Sequence, residues 1–141
     1  MRVMVIVKAT KNSEAGVMPG EKLLTDMGNY NEELVKAGIM AAGEGLHPTS
    51  KGVRIRFRGN DTSVEKGPFD YNEDLIAGFW LWNVKSMDDA IEWARRMPNP
   101  YGEDGVVEIR PVFEAEDFGA EFTPEARAQE ERLRAELEAR K

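Results

Sequence analysis

The stretch Ile76–Val84, IAGFWLWNV, constrains the fold of this chain more than any other. Aromatic and apolar residues crowd it, which suits a β-strand, and Gly78 marks its start. Side chains of a strand alternate between faces. Phe79 and Leu81 therefore point one way, while Trp80, Trp82 and Val84 point the other. Both faces are apolar, so a sheet containing this strand needs cover on both sides.

The surrounding pattern says what supplies the first cover. Arg2 to Val7 is a short apolar run suited to a buried central strand. The following TKNSEAGVMPGE reads as a loop. From Glu21 the period changes, and Leu23, Leu24, Met27, Tyr30, Leu34 and Val35 fall on one helical face, with Gly38 closing the helix. Gly28 inside it costs roughly 1 kcal/mol against Ala, which points to close approach by another backbone. Ile39 to Ala42 starts a second strand that ends in the glycine-bracketed GEGLHP. Val53, Ile55 and Phe57 alternate with Arg54, Arg56 and Arg58 as a half-buried strand, and Gly59–Asp61 turns it into a partner strand, Thr62 to Glu65. After the KGPFDYNED loop and the two-faced strand, Ser86 caps an amphipathic helix carrying Ala90, Ile91, Trp93, Ala94 and Met97, which Pro98 stops. Val106 to Phe113 is the last strand.

The order is β-α-β-β-α-β with an added hairpin. The expected class is α+β and ferredoxin-like, an antiparallel sheet with its helices on one face. Two helices cannot cover both faces. Large apolar side chains left in water would form a patch bigger than monomers usually carry, and burying each is worth roughly 1.5–3 kcal/mol. A second copy of the sheet, face to face, meets the need, so the chain is expected to be a homodimer. A small-molecule pocket competes for the same surface, and the two uses are compatible.

Composition narrows the functional classes. At 141 residues the chain has room for one domain with a real core. It contains no cysteine, which removes disulfides and thiolate metal sites and fits a cytoplasmic protein. A formal charge of −7 repels a polyanion, so no direct nucleic-acid partner is expected. The apolar run at the start is too short for a signal sequence or a membrane span. From Thr123 the chain reads TPEARAQEERLRAELEARK, with Thr123 as cap, Pro124 in the first turn, and Glu130/Arg134 and Glu136/Arg140 as i,i+4 pairs. Only Leu133 and Leu137 offer an apolar stripe. Residues 1–119 are therefore expected to form the domain, and residues 120–141 a charged helical tail that the fold does not need.

The candidate chemistry clusters at one predicted sheet end. His47 lies in GEGLHP, and a histidine held by a carboxylate shuttles a proton near neutral pH. Glu44 is its nearest carboxylate in sequence, and Asp70 and Lys66 arrive on the KGPFD loop. The competing reading makes His47 a turn residue, and Gly43 and Gly45 turn glycines. Lys66 to Asp70 is either a lip over a pocket or a turn with Phe69 as a hydrophobic plug. Trp80 and Trp82 are core or interface residues and, with Lys66 and Phe69, candidate ligand walls. The ribbon Arg54, Arg56, Arg58 suits an anion or a solvated face paired with carboxylates. No P-loop, dinucleotide fingerprint, nucleophile elbow or metal motif appears, so no cofactor is expected.

The stretches AGEGLHPTSKGVRIRF, KGPFDYNEDLIAGFWLW and VEIRPVFEAEDFG resemble the YCII-related (DGPF-domain) family from Met1 to about Gly119, most specifically from Gly67 to Val84. The resemblance implies a dimeric ferredoxin-like α+β barrel with an undefined biochemical role. It also implies a protein partner in transcription regulation, because some members are encoded near or fused to sigma factors. One branch pairs a His on the first helix with an Asp as its active site. This chain has no His between Glu21 and Gly38, and Lys66 stands where the family name has Asp. Two functions follow. One is a binding or regulatory module that takes a small organic ligand in the cleft, or a protein partner on its tail helix. The other is a cofactor-free proton-transfer enzyme of isomerase or lyase type, with His47 as acid–base, Glu44 as its orienter and Asp70 or Lys66 as the substrate-charge partner.

Overall fold

The tryptophan face of the Ile76–Val84 strand is covered by helices of the same chain. The computed structural model describes residues 1–141 in two units, Met1–Pro111 and Val112–Lys141. In chain order the first unit runs β1 (Arg2–Lys8), α1 (Lys11–Glu14), α2 (Glu21–Lys36), β2 (Met40–Gly45), β3 (Val53–Arg58), β4 (Asp61–Lys66), β5 (Ile76–Asn83), α3 (Met87–Arg95) and β6 (Val107–Pro111). The architecture is α+β. Four strands pair antiparallel in the order β2-β5-β1-β6, compatible with a ferredoxin-like arrangement.

Register sorts the side chains. Val3 pairs with Trp82 and Val5 with Trp80, and all four are buried beneath the helices. Tyr30 of α2 meets Trp80 edge-on at 6.3 Å between ring centroids, and Leu34 and Ala90 complete the same core from α2 and α3. The Tyr30 hydroxyl donates to the Trp93 carbonyl at 2.6 Å, which ties the two helices together. Both helices thus sit on the tryptophan face. Met4 pairs with Leu81 and Ile6 with Phe79 on the opposite face, outside the helix-packed core, where Met4, Phe79 and Leu81 stay half-buried.

Local chemistry sets the element ends. Gly38 adopts φ 74° just past the end of α2, a conformation that costs glycine little. The Ser86 side chain accepts from the Asp89 amide at the start of α3. α1 forms where the sequence reads as loop, because Thr10 and Ser13 cap it reciprocally. Gly28 needs a different account from the one its position suggests: no backbone approaches it, and a side chain there would meet open space.

The hairpin β3–β4 departs further from expectation. It forms a separate two-stranded sheet instead of joining the main one. Val53, Ile55, Phe57 and Val64 share one face and are all exposed, Phe57 at 76%. On the other face Arg56 forks onto Glu65 with bonds of 2.7 and 3.2 Å. Alternation implies half-burial only where a neighbour covers the apolar face, and the apolar face of this hairpin is exposed along its length.

The second unit holds α4 (Pro124–Ala139), capped by Thr123 with Pro124 in its first turn. Phe113, Phe118 and Phe122 form a ring ladder with centroid spacings of 5.1 and 5.3 Å, and Arg127 lies over Phe122. Those aromatic contacts hold residues from 113 onward with the helix. Glu130 pairs with Arg134 at 2.9 Å. No helix of the chain is long and apolar enough to cross a membrane.

Candidate functional site

The main cleft of the first unit exists because of missing side chains. On the helix-facing side of the sheet, the row that crosses β1, β5 and β2 reads Val7, Gly78 and Gly45. Two adjacent strands therefore present bare backbone where a core would normally carry two side chains. The next row brings Gly43 opposite Trp80. Above this floor stand Leu23, Leu24 and Met27 of α2, with Pro19 and Pro100 at the margins. The cleft volume is about 410 Å³, within the range of small-molecule sites.

Each floor glycine has its own reason. A Cβ on Gly78 would lie 2.9 Å from the Glu44 carbonyl oxygen, so β5 and β2 approach only because it is absent. A Cβ on Gly43 would lie 2.6 Å from Trp80 Cδ1, because the indole is laid across that residue. Gly45 meets nothing within 4 Å and opens onto the cleft. None of the three has positive φ, so Gly43 and Gly45 are strand residues rather than turn residues.

One polar group is fixed in this apolar wall. Trp80 Nε1 donates to Asn31 Oδ1 at 3.0 Å. That bond orients the amide, so the Asn31 NH2 group keeps its donors for another acceptor. Tyr30, one residue earlier on α2, has its phenol pushed up to about 12 by burial and stays a neutral donor.

The expected acid–base residues do not assemble here. His47 is exposed, forms no hydrogen bond or ion pair, and does not line the cleft. Glu44 borders the cleft, but its register opposite Phe79 directs its exposed carboxylate to the uncovered face. It therefore does not orient His47. Asp70 and Lys66 are exposed and lie outside the cleft lining. Trp82 is 0% exposed, sealed in the core with its Nε1 unpartnered, and is no ligand wall. Trp80, 7% exposed, does line the cleft.

The KGPFD loop is anchored elsewhere. Thr49 donates its amide and hydroxyl to the Glu14 carboxylate, the latter at 2.6 Å, and its Oγ1 accepts from the Phe69 amide at 3.1 Å. Phe69 is half-buried beneath the Arg54 guanidinium, 3.8 Å from the ring centroid. It plugs its own turn rather than forming a lip over the cleft. Arg54 and Arg56 are likewise engaged within the hairpin and loop.

Asn31 and the Gly45–Gly78 pair escaped sequence reasoning. The signal was present as glycines at alternate positions 43 and 45 beside a third at 78. Their meaning depends on cross-strand register, which one strand alone does not reveal.

A family model described as the YCII-related domain matches residues 1–116. An uncharacterized protein of Rhizobium meliloti (strain 1021) is 29% identical over 92 residues, covering 65% of this chain and 74% of that protein.

Proposed function

We propose, from the premise that this chain belongs to the YCII-related family, that it is a binding module that takes a small, largely apolar organic ligand into the glycine-floored cleft. The observation that carries this reading is the paired absence of side chains at Gly45 and Gly78 beneath α2. Burying apolar surface there would stabilise the protein, yet the space is kept open and is bounded by one oriented amide. The proton-transfer reading has less support, because His47 has no carboxylate in reach and no place in the cleft.

The test is a filling substitution. Gly45→Leu adds a side chain where a Cβ meets nothing within 4 Å. The variant should fold and lose binding of acetylnaphthalene, read through quenching of tryptophan fluorescence. Unchanged affinity in the folded variant would place the ligand elsewhere and end this reading.

We further propose that two copies pair through the uncovered sheet face. Met4, Ile6, Phe79 and Leu81 make its centre apolar and are only partly buried or just buried within one chain. Phe79→Glu places a charge in that centre without touching the tryptophan core, and should shift sedimentation from dimer to monomer. A wild-type chain that sediments as a monomer at micromolar concentration refutes the pairing.

A further inference from the structure

Resting on the ligand-binding reading above, we infer that the cleft selects an uncharged, flat molecule carrying one hydrogen-bond acceptor. Three observations lead there. The first concerns charge: no Lys, Arg or His lines the cleft, and the carboxylate of Glu44 belongs to the opposite face. An organic anion entering this space would lose its hydration with no cation to replace it, and a cation would meet no carboxylate.

Shape is the second. The floor is main chain across the Gly45–Gly78 pair, so the surface offered is peptide plane rather than knobs. The facing wall is α2, with Leu24 and Met27. A slab-like ring system touches both surfaces at once, whereas a globular hydrocarbon would touch the bare floor at one point.

The third is polarity. The Trp80 bond engages Asn31 Oδ1, and the NH2 group of this lining residue has no acceptor within the protein. A carbonyl or ether oxygen on the ligand satisfies it, and a ligand without an acceptor leaves that donor desolvated and unpaired. A ring ketone or quinone-like compound has all three properties.

Three probes of one size separate the terms: acetylnaphthalene, ethylnaphthalene and naphthoate, each titrated against the full chain by tryptophan quenching. The ketone should bind at least about tenfold more tightly than the carboxylate, the expected cost of an uncompensated charge in this wall. Asn31→Leu should reduce the ketone to the affinity of ethylnaphthalene while leaving ethylnaphthalene itself unchanged or tighter. The three-probe ranking on the wild type decides the matter even if that variant fails to fold. Naphthoate binding as well as the ketone, or the ketone no better than ethylnaphthalene, overturns the inference while Gly45→Leu sensitivity keeps the cleft reading. If no probe binds, the inference and the cleft reading fall together.

Discussion

Gly43 and Gly45 sit two residues apart on the same face of β2, yet adding one methyl to each should move stability in opposite directions. At Gly43 the new carbon would stand 2.6 Å from Trp80 Cδ1 and 2.9 Å from Met40 Cε. Carbon atoms rest at about 3.5–4.0 Å, so the indole must shift by about 1 Å. That shift lengthens the 3.0 Å bond to Asn31, a loss of about 0.5–1.5 kcal/mol. Repacking the crowded indole costs about 1–3 kcal/mol. Against this, replacing glycine restricts the unfolded chain and returns about 0.4–1 kcal/mol. The net expectation for Gly43→Ala is a loss of about 0.5–4 kcal/mol. Gly45→Ala meets open space, so only the favourable part remains and stability rises by up to about 1 kcal/mol. Urea unfolding followed by tryptophan fluorescence measures both, with the slope checked for change. If the two variants shift together, or if Gly43→Ala matches the wild type, the indole does not lie across Gly43 and does not form that wall of the cleft.

Two further outcomes follow from particular side chains. Tyr30 and Tyr101 are each pushed up to about 12, mainly by burial, from an unfolded value of 10.0. A raised pKa of this kind contributes stability in full below pH 10 that is lost as pH rises toward 12. Denaturant midpoints should fall across that window, and Tyr30→Phe should make the fall shallower; a midpoint independent of pH there would contradict the burial of both phenols. His47→Ala should leave acetylnaphthalene affinity unchanged by calorimetry, because the imidazole lies outside the cleft. A tenfold loss would return His47 to the site.

Element order was legible in the sequence because periodicity changes at Glu21, Val53 and Ser86, and caps such as Ser86, Thr123 and Gly38 act locally. The alternation of IAGFWLWNV likewise separates Trp80 and Trp82 from Phe79 and Leu81, but alternation is symmetric and cannot say which face meets the helices. The packing of Tyr30, Asn31 and Leu34 of α2 and of Ala90 of α3 against the indoles decides that, and for α2 the contacts span more than forty residues of chain. The burial of the hairpin was illegible for a related reason, since an apolar face is written in the sequence and its neighbour is not. The site was less legible than the fold. Reactive side chains such as His47 and Asp70 are conspicuous in a sequence, and the cleft is made largely by glycines that have no side chain.

The Thr49 hydroxyl has a kinetic consequence. It joins α1 to the KGPFD loop through contacts 35 and 20 residues apart in sequence. Each contact requires a loop to be closed, at an entropic cost that rises with the logarithm of its length. The loop's own bonds to the hairpin, from the Gly67 amide to the Gly52 carbonyl and from the Phe69 ring to the Arg54 guanidinium, span fewer residues, so the junction with α1 forms after the sheet has brought both segments near. A contact made late contributes to the native state but little to the barrier on the way in. Thr49 therefore governs how long the folded chain survives rather than how quickly it is made. Its loss would leave the folding limb of a chevron in place and lift the unfolding limb alone.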